Sequence, residues 1–266
     1  MRDNILKRWS GITEHYNQFR PIVPLHLIET LRRMSQKDEL MCVVDLGSGT
    51  GHATRAWAEH AYEVIGIEPA LEMLQTAQKN TPQKNIKFIH GYGNKTTLKN
   101  QSVDIVSAAS SIHWMEPDST LKEVMRILKK DGLFTFFGPS HPPVTPFLKL
   151  DQLYFELVDK ISLFKSGLPL AERWSWNDIV GHINKENLFV YQRYFYTHQE
   201  LHWSAEDYIN WLKTTNELHA LLNLKDPELL KYVDHLAENI RDHFEAKQYP
   251  CFFVYKTYVY KDKSRT

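Results

Sequence analysis

The run Val43-Val44-Asp45-Leu46 is followed at once by Gly47, Gly49 and Gly51, and no other stretch of the chain restricts its fold as strongly. A short apolar run stopped by glycines is a buried strand. Three glycines at alternate positions let the backbone turn tightly and let a ligand come close to it. A plain turn has no need of three, because each glycine costs backbone entropy on folding. The segment from His52 onward reads as helix, so the pattern predicts a strand, a ligand-facing turn and a helix. A phosphate-binding loop needs Lys and Ser or Thr after its last glycine, and His52-Ala53 stand there instead. The G-x-G-x-x-G spacing of a dinucleotide turn is not met by residues 47, 49 and 51. Asp45, just before the turn, disfavours a pyrophosphate and suits a cationic ligand or one with an ammonium group. Glu68 ends the next strand, 17 positions beyond Gly51. A carboxylate there can accept hydrogen bonds from both hydroxyls of a ribose.

The remaining elements follow from periodicity and punctuation. Residues 1–20 read as a helical lead-in, and Pro24 opens a helix on which Leu25, Leu27, Ile28, Leu31 and Met34 recur at helical spacing. Strands are predicted over 41–46, 63–67, 86–90, 103–109 and 133–138, with helices over 51–60, 70–79 and 118–129 between them. Asp131-Gly132 is the expected stop of the last of these helices. Alternation of this kind means βαβ units and a parallel sheet covered on both faces. Pro139, Pro142, Pro143 and Pro146 then interrupt the pattern. Helices follow over 147–165, 176–184, 205–220 and 226–246, and strands over 188–196 and 252–260. The expected organisation is an N-terminal helical lead-in (1–40) and a ligand-binding core (41–138). Helical insertions and the last two strands (139–266) complete it. The fold class is α/β: a doubly wound, mostly parallel seven-stranded sheet with a helical insertion over its carboxyl edge.

Thirty-two basic residues balance thirty-two acidic ones, so no global field draws nucleic acid or anionic membrane. Residues 1–11 are polar and carry charges, unlike a signal peptide, and no apolar run reaches the length of a membrane span. Cys42 and Cys251 sit far apart in apolar runs and read as buried free thiols. The expectation is a cytoplasmic globular protein of unassigned oligomeric state. Of the thirteen histidines, only His198 and His202 are closely spaced, and they lack the Glu of a metalloprotease motif. No metal is expected.

Taken together, these motifs resemble those of the class I S-adenosylmethionine-dependent methyltransferases. Val43 to Gly51 looks like the family's first motif and Ile65-Gly66-Ile67-Glu68-Pro69 like its second. Gly91 to Asn94, Leu98 to Asp104, Ser110-Ser111-Ile112-His113-Trp114 and Leu121 to Gly132 match later motifs in order. The likeness covers residues 40–138 and implies a Rossmann-like methyltransferase fold with S-adenosylmethionine as cofactor. By resemblance the cofactor is held by Asp45, Gly47, Ser48, Gly49, Gly51, Glu68, Pro69, Gly93, Asn94, Ser110, His113, Trp114 and Tyr16. Gly93-Asn94 stand where the family often has an acidic residue near the adenine. Tyr16 with Arg20-Pro21, Glu68-Pro69 with Met73, Ser102-Val103-Asp104 and His113-Trp114 narrow the likeness to the trans-aconitate methyltransferase-like branch, whose members act on small carboxylic acids, and the resemblance implies that the 1–40 lead-in covers the cofactor site.

A carboxylate acceptor is ionised at neutral pH and needs no base. A hydroxyl or carbon acid needs one, and His113 is then the candidate. Otherwise His113 and Trp114 shape the cofactor pocket. Arg20 or Arg173 is the candidate partner for an acceptor carboxylate. Trp174, Trp176, Trp203, Tyr208 and Trp211 are candidates for an acceptor pocket, with 139–146 hinging near it. The expected reaction is O-methylation of a carboxylate on a small molecule. Methylation of a quinone- or phenol-like metabolite and a catalytically silent cofactor-binding protein are the alternatives. A nucleic-acid methyltransferase is disfavoured by the charge balance and by the lack of an Asn/Asp-Pro-Pro-Tyr/Phe motif after strand four.

Overall fold

Val43, Val44 and Leu46 are fully buried, as are Val64, Ile67, Ile105, Val106 and Ala108 on two further strands. Strands apolar on both sides must be covered on both sides, and that requirement organises the chain. A computed structural model describes residues 11–164 and 173–262; the signal-peptide reading of residues 1–10 and the tail from 263 lie outside it. The strands are β1 (Leu40–Leu46), β2 (Ala61–Glu68), β3 (Ile86–His90), β4 (Val103–Ala109), β5 (Leu128–Pro139), β6 (Phe189–Trp203) and β7 (Tyr249–Asp262). They form one seven-stranded sheet in the order β3-β2-β1-β4-β5-β7-β6. β1 pairs in parallel with β2 and β4, β2 with β3, and β4 with β5, whereas β7 runs antiparallel to β5. The chain builds outward from β1 on one side and then crosses to β4 on the other. Ligands of open α/β sheets bind at the carboxyl ends beside such a switch point.

Contacts divide the chain into two units. The sheet unit holds 22–139, 173–197 and 255–262, and the helical unit holds 11–21, 140–164 and 198–254. In the sheet unit, helices bury residues at three- and four-residue spacing: Leu27, Ile28 and Leu31 in Leu25–Met34, and Leu121, Val124 and Ile127 in Pro117–Ile127. Pro117 occupies the first helical position and the Glu116 carboxylate accepts from the amides of Asp118 and Ser119, which fixes where that helix starts. At the amino end of the sheet, Asp104 accepts from Lys37 Nζ (2.5 Å), Lys129 Nζ (2.9 Å) and the amides of Met41 and Cys42 (2.9 and 3.0 Å). Cys42 and Cys251 are buried free thiols, pushed up by burial to about 11 and about 12. Among the described residues no helix is long and apolar enough to cross a membrane, and no cluster of His, Cys, Asp or Glu is built to hold a metal ion.

Several elements differ in extent from the sequence expectation. β5 begins at Leu128, paired with Val103, where the sequence predicts the end of a helix. Asp131-Gly132 is a kink inside that strand, with Asp131 at φ 63° and Gly132 at a point where a Cβ would stand 2.9 Å from Leu128 Cδ2 and 3.1 Å from the Asp104 carbonyl. β6 runs to Trp203 because residues 197–203 alternate half-buried and exposed; polar side chains at those positions hide the alternation from a hydropathy reading. The helix expected over 205–220 is two, Ala205–Lys213 and Asn216–Leu222. Thr214 and Thr215 end the first by turning their hydroxyls back onto the carbonyls of Trp211 and Leu212. The helix after the glycine turn is short, His52–Ala56.

The helical unit is packed on aromatic rings. Trp211 is fully buried, and its ring lies 5.3 Å from Tyr208, 5.7 Å from Phe253 and 6.1 Å from both Trp203 and Tyr154. Truncating a buried tryptophan leaves a large void. Trp211→Ala is therefore expected to lower the unfolding free energy by about 3–5 kcal/mol, measured by urea denaturation of the full chain. A loss below about 1 kcal/mol would show that the ring cluster does not hold this unit together.

Candidate active site at the carboxyl ends of β1 and β4

The three glycines of the turn lie at φ 65° (Gly47), 55° (Gly49) and 87° (Gly51), a region that side-chain-bearing residues seldom adopt. Gly47 and Ser48 both donate to the Ile67 carbonyl (2.8 and 3.1 Å), which ties the turn to the end of β2. The glycines differ in what surrounds them. A Cβ on Gly47 would stand 2.6 Å from Ser111 Cβ, and one on Gly51 2.8 Å from an Arg55 nitrogen and 2.9 Å from Phe88. Around a Cβ on Gly49 nothing lies within 4 Å, so there the backbone alone demands glycine and the outer side of the turn is open.

Two buried carboxylates lie behind this turn. Asp45 is fully buried; one oxygen accepts from Thr54 Oγ1 at 2.7 Å and the other from Ser107 Oγ at 3.2 Å. Its side chain thus joins β1, β4 and the helix that follows the turn. Burial pushes Asp45 up to about 6 even against those hydrogen bonds. Glu68 is 6% exposed; Oε2 accepts from the Gly49 amide and Oε1 from the Ala70 amide, both at 2.8 Å. Burial raises it to about 7, with the Asp45 charge adding to the rise. Each Glu68 oxygen keeps a lone pair beyond its backbone bond. Ser48 Oγ is buried and has no hydrogen-bond partner.

The loop after β3 supplies Gly93 and Asn94, the first buried and the second with its amide given to Ser119 Oγ at 3.0 Å. The Pro69 carbonyl contacts the His90 ring at 3.0 Å. At the end of β4, Ser110 is exposed and held at φ 51° with its amide on the Phe137 carbonyl (2.8 Å). A non-glycine residue in that conformation stores strain and marks candidate functional positions. Ser111 Oγ donates to the Leu46 carbonyl (2.5 Å), fastening the end of β4 to the start of the turn. His113 and Trp114 follow in a single 3₁₀ turn, Ile112–Trp114, with rings 5.1 Å apart, and the His113 carbonyl accepts from the Trp174 amide (3.0 Å). Thus Asp45, Gly47, Ser48, Gly49, Gly51, Glu68, Pro69, Gly93, Asn94, Ser110, His113 and Trp114 all belong to the sheet unit, at strand ends or the loops after them.

Tyr16 and Arg20 belong to the helical unit. Arg20 lies 5.0 Å from the centre of the Tyr16 ring and donates to the Thr214 carbonyl at 2.9 Å. Its Nε is buried without a hydrogen-bond partner. Of the aromatic candidates, Trp174 and Trp176 fall in the sheet unit and Trp203, Tyr208 and Trp211 in the helical unit. Trp176 packs edge-on against Phe136 (5.5 Å) and Tyr258 (5.8 Å). Sequence reasoning missed Thr54 and Ser107, whose hydroxyls face Asp45, and Met115, which lies against both Gly47 and Gly93. Small polar residues on otherwise apolar elements were the available signal for the first two.

A parallel sheet with a glycine turn after β1 and a carboxylate at the end of β2 is the arrangement met in nucleoside-binding α/β proteins. Residues 44–136 match the family described as "Methyltransferase domain". A probable S-adenosylmethionine-dependent methyltransferase of Saccharomyces cerevisiae is 35% identical over 147 residues, covering 53% of this chain and 50% of the relative. An uncharacterized methyltransferase-like protein of Schizosaccharomyces pombe is 27% identical over 176 residues, 65% of each chain. The chain thus spans between half and two thirds of the length of these curated relatives. In fold it is similar to a putative type II methyltransferase from Anaeromyxobacter dehalogenans, with a TM-score of 0.72 and 17% identity over 91% of this chain and 97% of that one. The match to that family is confined to residues 44–136, the segment that holds the glycine turn, Glu68 and His113.

Glu68 gives this site a pH signature. Its folded value near 7 lies above the ordinary 4.5, so its contribution to stability is present below pH 4.5 and is lost as pH rises through 7. That contribution is on the order of 3 kcal/mol. In Glu68→Gln the corresponding part of the decline in unfolding free energy between pH 4.5 and 7.5 is expected to vanish. Equal pH slopes for the two proteins would place the titration elsewhere.

Proposed function

We propose that the chain transfers the methyl group of S-adenosylmethionine to a carboxylate of a small molecule, giving a methyl ester. The observation that carries the cofactor part is the left-handed turn with Glu68 clamped between the Gly49 and Ala70 amides. The residues present fit the cofactor. Glu68 has acceptor capacity left for a ribose diol, Ser48 Oγ is a buried group in want of a partner, and the turn is open at Gly49. Asp45 and Glu68 place negative charge behind the turn, which suits a cation and opposes a phosphate. The named relatives support the same reading.

When bound, the cofactor supplies a methyl group activated by its sulfonium; an oxygen–carbon bond forms as the sulfur–carbon bond breaks, and the thioether product leaves. The chain's own work is to bind, align and exclude water. Glu68 and the 47–51 turn hold the nucleoside, with Pro69, Gly93 and Asn94 along the base side. Ser110, His113 and Trp114 stand at the end of β4, where His113 orients an acceptor that is already ionised. Arg20 supports the carboxylate assignment. It has five donors, one of them given to Thr214 and a buried one without a partner, which favours an anionic partner. Tyr16, under the guanidinium, keeps that cation in place. The balanced charge of the chain favours a small molecule over nucleic acid.

Calorimetry with S-adenosylmethionine tests the cofactor assignment. Wild type is expected to bind in the micromolar range, Glu68→Ala more weakly and Gly49→Val not at all. Affinity is also expected to fall as pH drops below about 7, since protonation removes acceptor capacity from Glu68, and Glu68→Gln removes this dependence. Labelled cofactor offered with carboxylic acids, phenols and quinones then tests the acceptor. Arg20→Met is expected to raise the KM for a carboxylate acceptor about tenfold or more while leaving cofactor affinity unchanged. Methylation confined to phenols or quinones would overturn the carboxylate assignment.

A further inference from the structure

We infer that Met115 is a positioning residue that couples the two halves of the cofactor site, an inference that rests on the cofactor reading above. The halves come from distant parts of the sequence: the 47–51 turn follows β1, and the Gly93-Asn94 loop lies between β3 and β4. Met115 belongs to neither and follows the 3₁₀ turn after β4. Its Cε lies 3.0 Å from where a Cβ on Gly47 would stand, and its Sδ 2.7 Å from where one on Gly93 would stand. One thioether therefore rests against the bare Cα of a glycine on each side. Both glycines leave room for it.

A methionine side chain is unbranched and polarizable, so it fills the irregular gap between two glycine backbones. The two contacts also differ in a useful way. Gly47 is at φ 65°, so any substitution there strains the turn itself. Gly93 is not among the positive-φ residues, and after Met115 the next neighbour of an added Cβ is Thr120 Cγ2 at 3.7 Å. An alanine at 93 would thus be accommodated by moving the Met115 thioether, whose Cε is also a near neighbour of Gly47. A change at the base side of the site is felt at the turn through this side chain.

A double-mutant cycle reads the coupling directly. Cofactor affinity is measured by calorimetry for Gly93→Ala, Met115→Ala and the double variant, with melting temperature followed in parallel. Gly93→Ala is expected to weaken binding about tenfold and Met115→Ala about fivefold, the scale of coupling between touching residues. The double variant is expected to bind no more weakly than Met115→Ala alone, and Met115→Leu close to wild type. If the Gly93→Ala penalty persists in full in the Met115→Ala background, the alanine acts on the ligand directly and the inference fails. It fails too if Gly93→Ala binds as wild type. Should Gly93→Ala not fold, the Met115 methyl resonance of 13C-methyl-labelled wild type decides: it shifts on addition of S-adenosylhomocysteine if the inference holds, and stays unmoved if it does not. Absence of binding by wild type would instead remove the cofactor reading itself.

Discussion

The structure of this site depends on a carboxylate that no ligand can touch. Asp45 sits at the end of β1 with no exposed surface, and its two oxygens hold Thr54 and Ser107. A buried charge is tolerated only when hydrogen bonds replace the lost water. Those bonds fix the helix after the turn to β1 and β4, so the glycines between are held at both ends. Glu68 repeats the device one strand away with backbone donors. Two acids raised by burial thus stand under one turn. Geometry and titration meet there: the turn is open at Gly49, and the protonation of the two acids sets the charge behind it.

What the sequence discloses and what it withholds divide along a physical line. β1, β2 and β4 carry buried apolar stretches, and burial on both faces makes such strands easy to read. The turn and Glu68 are equally legible, because glycines at alternate positions and an acid at a strand end have few other uses. The later elements are harder. β6 extends through His198, Glu200 and His202, whose exposed side chains conceal the alternation. Nor does the sequence reveal that Thr214 and Thr215 would cap a helix, since threonines in mid-helix also point to solvent. Met115 and Ser111 escape notice for another reason. Their significance lies in contacts with Gly47 and Leu46, more than sixty residues away.

The helical unit is joined by contacts of similarly long range. The helix Thr13–Phe19 is attached to Ala205–Lys213 through His15 on the Asn210 carbonyl (3.3 Å), and Arg20 continues the attachment at Thr214. Residues 11–21 thereby belong to the same unit as the last helices. Trp211 and Tyr208 are interior members of that unit, which gives the aromatic wealth of the second half a packing role.

Gly66, in the middle of the second motif, is enclosed on two sides. A Cβ there would lie 2.6 Å from the Phe88 ring and 2.9 Å from Ser48 Cβ. Phe88 belongs to β3 and Ser48 to the turn, so a residue remote from the ligand sets how far the turn can settle onto the sheet. Among divergent relatives, positions 48, 66 and 88 should therefore drift as a trio, a bulkier residue at one being matched by a smaller residue at another.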